Sequence, residues 1–205
     1  SRAEEFNPLL NVYLDRLDEH ARIQAKSAEK LFRNPDVELP LLCGVPISIK
    51  DTFELADSIT TYGSAFFQEN RTDQDSGLVK RLRVSGVVFT GKTNTPEFGQ
   101  SATTENCLGE DARNPWDISR TPGGSSGGAS ASVAAGLASV AIGTDGGGSI
   151  RIPAAFTGLF GIKPTHGLCS NENGFSAMSD FIAPGPLSRC VEDARIVLEV
   201  LAECK

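Results

Sequence analysis

Apolar residues recur every three or four positions near the start of the chain, within a background of charged and amide side chains. Between Pro8 and Phe32 the apolar series is Leu10, Leu14, Leu17, Ala21, Ala25, Ala28 and Leu31. This spacing collects the apolar residues on one face of a helix. The sequence therefore predicts a single amphipathic helix over residues 8–32.

A different pattern begins after residue 40. In the segment LLCGVPISIKD, β-branched residues alternate with smaller ones, which is typical of a buried strand, here ending at Lys50. Further strands are predicted over residues 87–91, 139–143 and 159–163, and helices over residues 75–85, 129–138 and 188–203. We expect Asp75 or Ser76 to cap the first of these helices and Ser188 to cap the last. The alternation of helices and strands predicts a layered α/β domain.

The composition narrows the class of protein. With 205 residues, of which 40% are hydrophobic, the chain can bury a core as one large domain or two small ones. Its net charge of -7 does not favour the basic surface that nucleic acids require, so no nucleic-acid partner is expected. The sequence shows no membrane-spanning apolar run and no signal-peptide pattern. We therefore expect no membrane partner and a cytoplasmic location.

The cysteines are widely spaced along the chain: Cys43, Cys107, Cys169, Cys190 and Cys204. Their odd number, without a C-x-x-C pair or a histidine at metal-ligand spacing, indicates reduced and mostly structural thiols. A catalytic cysteine needs a basic partner, and only His20 and His166 are available. We expect neither a metal site nor a cysteine nucleophile.

Glycine and serine concentrate between Pro122 and Pro153, in the segment PGGSSGGASASVAAGLASVAIGTDGGGSIRIP. Because glycine weakens regular structure, two glycine-serine clusters around an apolar centre predict loops that bring the backbone close to a ligand. The segment GSSGG fits the nucleophile-elbow expression G-x-S-x-G, with Ser126 as the nucleophile. That mechanism also needs a histidine, and His166 is the only one downstream. A Ser-His α/β-hydrolase therefore stays an alternative.

A second arrangement of residues needs no histidine. Burial at the mouth of an apolar strand would disfavour the ammonium form of Lys50 and make it a usable base. With the Ser125-Ser126 pair as a relay, this base would activate Ser149 as a nucleophile. Three glycines precede that serine: Gly146, Gly147 and Gly148. Their backbone N–H groups suit an oxyanion hole, although flexible loops without catalysis remain an alternative.

Several longer segments resemble successive landmarks of the amidase signature family. They are GVPISIKD, GKTNTPEFG, NPWDISRTPGGSSGG, GTDGGGSIRIPAAFTGLFGIKPT and APGPLSRCVEDA, and the likeness extends from about residue 6 to the end. The resemblance implies the α/β fold of that family, a central mixed β-sheet covered by helices on both faces. Since family members are substantially longer, residues 1–205 would form the N-terminal and central part of that domain, without its C-terminal remainder.

The resemblance also implies an amidohydrolase with a Ser-cisSer-Lys triad and a serine acyl-enzyme. Ser149 takes the place of the nucleophile, Ser125 that of the relay serine after a cis peptide bond, and Lys50 that of the base. The implied substrate is a small-molecule amide, and no metal or organic cofactor has a role. A C-terminal segment or a second copy of the chain would be the protein partner. Two alternatives stay open: the glutaminase (A) subunit of a tRNA-dependent amidotransferase, and a non-catalytic remnant of the fold.

Overall fold

The computed structural model describes residues 2–169 and 181–202. Within these ranges a six-stranded mixed sheet forms the centre, and two short strands pair separately. The strands are β1 (Tyr13–Arg16), β2 (Pro46–Lys50), β3 (Ser58–Ile59), β4 (Arg71–Thr72), β5 (Val88–Thr93), β6 (Val140–Asp145), β7 (Phe160–Gly161) and β8 (Ala183–Ser188). The α-helices are α1 (Arg2–Leu10), α2 (Asp18–Phe32), α3 (Gly77–Val84), α4 (Gly127–Ala134), α5 (Arg151–Thr157) and α6 (Val191–Leu201).

The central sheet has the strand order β1-β5-β2-β6-β8-β7. Strand β2 lies between β5 and β6 and runs parallel to both. Strands β1, β8 and β7 pair antiparallel with β5, β6 and β8 respectively. Because β2 and β6 run in the same direction, their last residues, Lys50 and Asp145, lie at the same edge of the sheet. The mixed sheet confirms the predicted α/β architecture.

The two faces of the sheet pack against different helices. Ile47 and Ile49 of β2 are fully buried in a core that includes apolar residues of α3 and α6. Each such side chain contributes about 1.5–3 kcal/mol to folding. Ser48 points to the opposite face, where its Oγ lies 2.7 Å from Ser132 Oγ of α4. Since alternate residues of a strand share a face, Lys50 points with Ser48 toward α4.

Helix α4 approaches the sheet closely because its residues are small. Its sequence is GGASASVA, and every residue from Gly127 to Val133 is buried. Together with α5, this helix covers the face opposite α3 and α6, in a second core that includes Ala141 of β6 and Leu187 of β8. The close approach brings the loop before α4 down to the end of β2.

The single helix predicted over residues 8–32 is wrong. Helix α1 ends at Leu10, the backbone turns at Asn11 with a left-handed φ of 48°, and strand β1 precedes α2. Tyr13 of this strand lies opposite Thr93 at the edge of the sheet. The strand is so short that the apolar spacing of three and four residues continues across it. Pairing with β5, which is a long-range contact, overrides the local helical pattern.

Two elements that the pattern does not predict, α5 and β8, contain proline. Pro153 occupies the first turn of α5, where a backbone N–H has no intrahelical acceptor to lose. Pro184 and Pro186 lie within β8, although proline cannot donate a hydrogen bond to a neighbouring strand. The last predicted helix also begins later than expected. Ser188 ends β8 instead of capping α6, and its Oγ donates to the carbonyl oxygen of Cys190 at 2.6 Å.

The other predicted helices and strands are confirmed, with their ends shifted by a few residues. Over residues 2–169 and 181–202, no helix combines the length and the apolar character needed to cross a membrane. The described cysteines, Cys43, Cys107, Cys169 and Cys190, are free thiols, and Cys204 lies outside the described residues.

Candidate active site

A cavity of about 240 Å³ opens at the edge of the sheet where β2 and β6 end. Ser125 reaches it from the loop before α4, and Ser149 reaches it from the loop between β6 and α5. Gly146 and Gly147 also line its wall. Ligands of α/β proteins commonly bind beyond the carboxyl ends of the strands, and this cavity has that position. The two serines and two of the three glycines predicted for the site therefore surround one space.

Lys50 lies directly behind Ser125. Its Nζ donates to Ser125 Oγ at 2.6 Å and to Thr144 Oγ1 at 2.8 Å, and its side chain is fully buried. Burial lowers the pKa of Lys50 to about 7, while the negative charge of Asp145 acts in the opposite direction. A lysine with that pKa is partly neutral near pH 7 and can accept a proton there.

The two glycines around this contact permit a close approach of backbone. The peptide bond between Gly124 and Ser125 is cis, as the family resemblance implies. A Cβ atom on Gly124 would collide with the backbone carbonyl of Thr103. On the other side, a Cβ on Gly99 would lie 3.3 Å from Ser125 Oγ and 3.8 Å from Lys50 Nζ, and its φ of 67° also favours glycine. A side chain at Gly99 would crowd the Lys50–Ser125 contact, and one at Gly124 would displace the segment that carries Ser125 from Thr103.

The loop that carries Ser149 is shaped by the buried carboxylate of Asp145. This carboxylate accepts hydrogen bonds from the backbone N–H groups of Gly148 at 2.7 Å and Ile150 at 3.2 Å. It also accepts from the Arg151 guanidinium, through Nε at 2.9 Å and Nη2 at 3.0 Å. Burial alone would raise the pKa of Asp145, but the hydrogen bonds from Arg151 and the backbone hold it below its ordinary value. The ionised carboxylate thus fixes the turn on both sides of Ser149.

One of the three glycines expected for the oxyanion hole has an acceptor for its backbone N–H within the protein. The N–H of Gly148 donates to Asp145, and Gly148 does not line the cavity. Among the described residues, no acceptor is found for the backbone N–H of Gly146, Gly147 or Ser149. These three N–H groups therefore remain as candidate donors to an oxyanion.

Ser126 and His166, which a nucleophile elbow would require, do not meet at the cavity. Ser126 is fully buried, and its Oγ accepts the backbone N–H of Thr144 at 3.2 Å. His166 lies in an exposed turn and does not line the cavity. Across the part of the chain that the structure describes, no three His, Cys, Asp or Glu residues are grouped as metal ligands.

A second buried lysine, to which the sequence reasoning gave no role, lies on the neighbouring strand. Lys92 Nζ is 2.7 Å from Asp51 Oδ1 and 2.8 Å from Thr60 Oγ1, and both charged side chains are fully buried. The other carboxylate oxygen of Asp51 accepts from the backbone N–H of Thr61 at 2.9 Å. This ion pair ties the segment after β2 to β5 beside the site. In the sequence, the only indication that Lys92 is buried is that the residues next to it are uncharged.

Comparison with known proteins agrees with the family resemblance. A family model for amidases matches residues 1–204. The chain is 46% identical over 205 residues to the Mycobacterium tuberculosis protein named as amidase AmiB2, with 93% of this chain and 44% of that protein covered. It is 44% identical over 202 residues to the (A) subunit of the glutamyl-tRNA(Gln) amidotransferase of Carboxydothermus hydrogenoformans, with 98% and 41% covered.

The fold is also similar to solved amidase structures. The peptide amidase of Stenotrophomonas maltophilia superposes with a TM-score of 0.88 at 36% identity, with 100% of this chain and 43% of that chain covered. This chain thus spans less than half the length of the relatives it matches. The family model covers almost every residue, and the sheet and helices follow those of a known amidase. The chain therefore belongs to the amidase family.

Proposed function

We propose that this protein hydrolyses a carboxylic amide through a covalent ester on Ser149. The contact that carries the proposal is the hydrogen bond of 2.6 Å between Lys50 Nζ and Ser125 Oγ, at a lysine whose pKa burial lowers to about 7. A neutral lysine can accept a proton from Ser125 through the same contact. The relay serine can then take the proton of Ser149 Oγ as this oxygen attacks the amide carbonyl.

Apart from the amide substrate and water, the proposed reaction needs no group from outside the chain. The Ser149 Oγ–H bond breaks, a bond from Oγ to the carbonyl carbon forms, and the proton passes through Ser125 to Lys50. Backbone N–H groups of Gly147 and Ser149 are the proposed donors to the oxyanion. When the C–N bond breaks, the proton returns from Lys50 to the leaving amine. Water then attacks the ester by the same proton route and releases the carboxylic acid.

Labelling with a fluorophosphonate, followed by mapping of the modified peptide, tests the nucleophile directly. We expect the adduct on Ser149, and we expect Ser149→Ala to abolish both labelling and amide hydrolysis. Ser125→Ala and Lys50→Ala should each lower hydrolysis by a factor of about 10³ or more, because each breaks the proton path. Ser126→Ala is the matched control, since Ser126 is buried and bonded to the backbone of Thr144. Loss of labelling only in Ser126→Ala would contradict the proposed triad.

A second function is favoured by the 44% identity to the amidotransferase relative. In that case, the site would release ammonia from glutamine and pass it to a partner. Ammonia release from glutamine, measured with and without candidate partner proteins, distinguishes this function from that of an independent amidase. If fluorophosphonate does not label Ser149, the protein would instead be a non-catalytic member of the fold.

A further inference from the structure

Part of the cavity lining is apolar, and we call this part the apolar wall. It consists of five aromatic and aliphatic side chains: Phe53, Phe98, Ile152, Phe181 and Ile182. Among the described residues that line the cavity, none carries a charge, and Gln100, Ser101, Thr52 and Thr144 supply the polar side chains apart from the two serines. The wall is therefore suited to an apolar group of a substrate whose amide lies at Ser149.

The charged groups nearest to the cavity already have partners. Lys50 is fully buried behind Ser125, with which it is hydrogen-bonded. Arg151 and Asp145 form a two-point ion pair with each other. A charged group on a bound substrate would lose its water at this wall without gaining an opposite charge from the described lining residues. Such desolvation is costly, so the wall discriminates against ionised substrates.

Phe98 is held in this wall by an uncommon backbone conformation. Its φ is 51°, in the left-handed region that a bulky side chain rarely adopts. Its N–H donates to the carbonyl oxygen of Tyr62 at 2.8 Å, and its ring meets the Phe67 ring edge-on at a centroid distance of 6.2 Å. Strained residues of this kind persist where the surrounding structure enforces them, often at binding sites. The surrounding contacts thus fix the ring at the cavity wall.

We propose that the site takes amides whose acyl group is uncharged and apolar, and that Phe98 is a specificity-determining residue that packs against this group. This inference rests on the proposed amidase function. It also predicts that free glutamine, with its ammonium and carboxylate groups, is a poor substrate of this site. The apolar wall thereby favours the independent amidase over the glutaminase subunit.

The test uses two primary amides of matched shape, 3-phenylpropanamide and 3-(4-carboxyphenyl)propanamide, together with glutamine. We expect kcat/KM to be at least about 100-fold higher for the neutral amide than for the carboxylated one, because the carboxylate has no counter-charge at the wall. Phe98→Ala should lower kcat/KM by about 10-fold to 100-fold for 3-phenylpropanamide and by a smaller factor for acetamide, since acetamide has no group to reach the ring. Phe66→Ala is the matched control, because Phe66 is 93% exposed and does not line the cavity.

Binding to Ser149→Ala, measured by calorimetry, separates failure of this inference from failure of the proposed function. Equal kcat/KM for the two phenyl amides, faster turnover of glutamine, or equal losses in Phe98→Ala and Phe66→Ala would overturn the inference while amide hydrolysis stands. If no amide is turned over, the proposed function fails. In that case, tighter binding of the neutral amide to Ser149→Ala would still support the apolar wall, and equal or absent binding would overturn it.

Discussion

Replacing Lys50 by methionine, which removes the proposed catalytic base, should change how the stability of the folded protein depends on pH. Burial lowers the pKa of Lys50 from the ordinary lysine value of 10.5 to about 7. The folded state therefore gives up a proton that the unfolded chain keeps, which costs about 4 kcal/mol near pH 7 at 1.36 kcal/mol per pKa unit. Methionine has a similar volume and no charge, so this cost disappears in the variant.

Part of this gain is offset by the hydrogen bonds that Lys50 makes. Without Nζ, the hydroxyls of Ser125 and Thr144 each lose a partner. A buried polar group left without its partner costs about 1–3 kcal/mol. For the two hydroxyls together this loss is about 2–6 kcal/mol, which is comparable with the gain of about 4 kcal/mol. We therefore expect the free energy of unfolding of Lys50→Met to lie within about 2 kcal/mol of the wild-type value near pH 7.

The change of the free energy of unfolding with pH tests the lowered pKa of Lys50 more directly than the stability at a single pH. Between about pH 7 and pH 10.5 the unfolded chain carries more protons at Lys50 than the folded state does, so the stability of the wild type rises with pH. From pH 7 to pH 9 this contribution amounts to about 2 kcal/mol. Other groups titrate in this range in both proteins, so their effects cancel in the difference between wild type and variant.

The assay is urea unfolding of the wild type and Lys50→Met at pH 7 and pH 9, with the free energy of unfolding extrapolated to water. We expect the free energy of unfolding of the variant, relative to that of the wild type, to fall by about 2 kcal/mol over this interval. A difference between the two proteins that does not change with pH would refute the assignment of a lowered pKa to Lys50. Lys92→Met is the matched control, because it leaves the buried carboxylate of Asp51 without its partner and should lose about 3–5 kcal/mol.

Three further predictions concern the site. Activity should rise through an acidic limb near pH 7 as Lys50 loses its proton, and this limb should persist in His166→Ala; its disappearance in that variant would indicate a histidine base. Gly124→Ala should lower the unfolding midpoint in urea markedly, because its Cβ would collide with a backbone carbonyl, whereas Gly109→Ala, with no atom within 4 Å of its Cβ, should leave it unchanged. Asp145→Asn should slow fluorophosphonate labelling and move the acidic limb to lower pH, because a negative charge that raises the pKa of Lys50 is removed; an unshifted limb would contradict this electrostatic coupling.

The sequence allowed the residues of the proposed site to be predicted better than the residues that hold them in position. Lys50, the Ser125-Ser126 pair and Ser149 each stand in a short, unusual segment, so local motifs were enough to select these positions, whereas the family resemblance was needed to choose Ser125 within the pair. The carboxylate of Asp145 lies inside one of the same motifs, but its role depends on how the loop folds back onto it. That folding is a three-dimensional property, and neither residue type nor spacing expresses it.

The same reasoning explains the errors in the fold. Strand β1 exists because it pairs with β5, and a contact across the sheet leaves no mark in an apolar pattern of period three to four. The prolines of strand β8 disfavour a strand in the local pattern, and the strand is defined by its pairing with β6 and β7. In both cases, the missing information is long-range pairing, which outweighs local propensity when a strand completes a sheet.

The two buried lysines at this edge of the sheet differ in their hydrogen-bond partners. Lys92 has the carboxylate of Asp51 within 2.7 Å, and its charge is balanced by that contact. Within the described residues, the hydrogen-bond partners of Lys50 are the neutral hydroxyls of Ser125 and Thr144. The carboxylate of Asp145 is instead bound by Arg151 and by the loop before α5. Burial beside hydroxyls lowers the pKa of Lys50 to about 7, so that this lysine can release its proton near neutral pH. Placing a carboxylate within hydrogen-bond distance of Lys50 would therefore favour the ammonium form of the proposed base, and we expect this change to lower the proposed reactivity of Ser149.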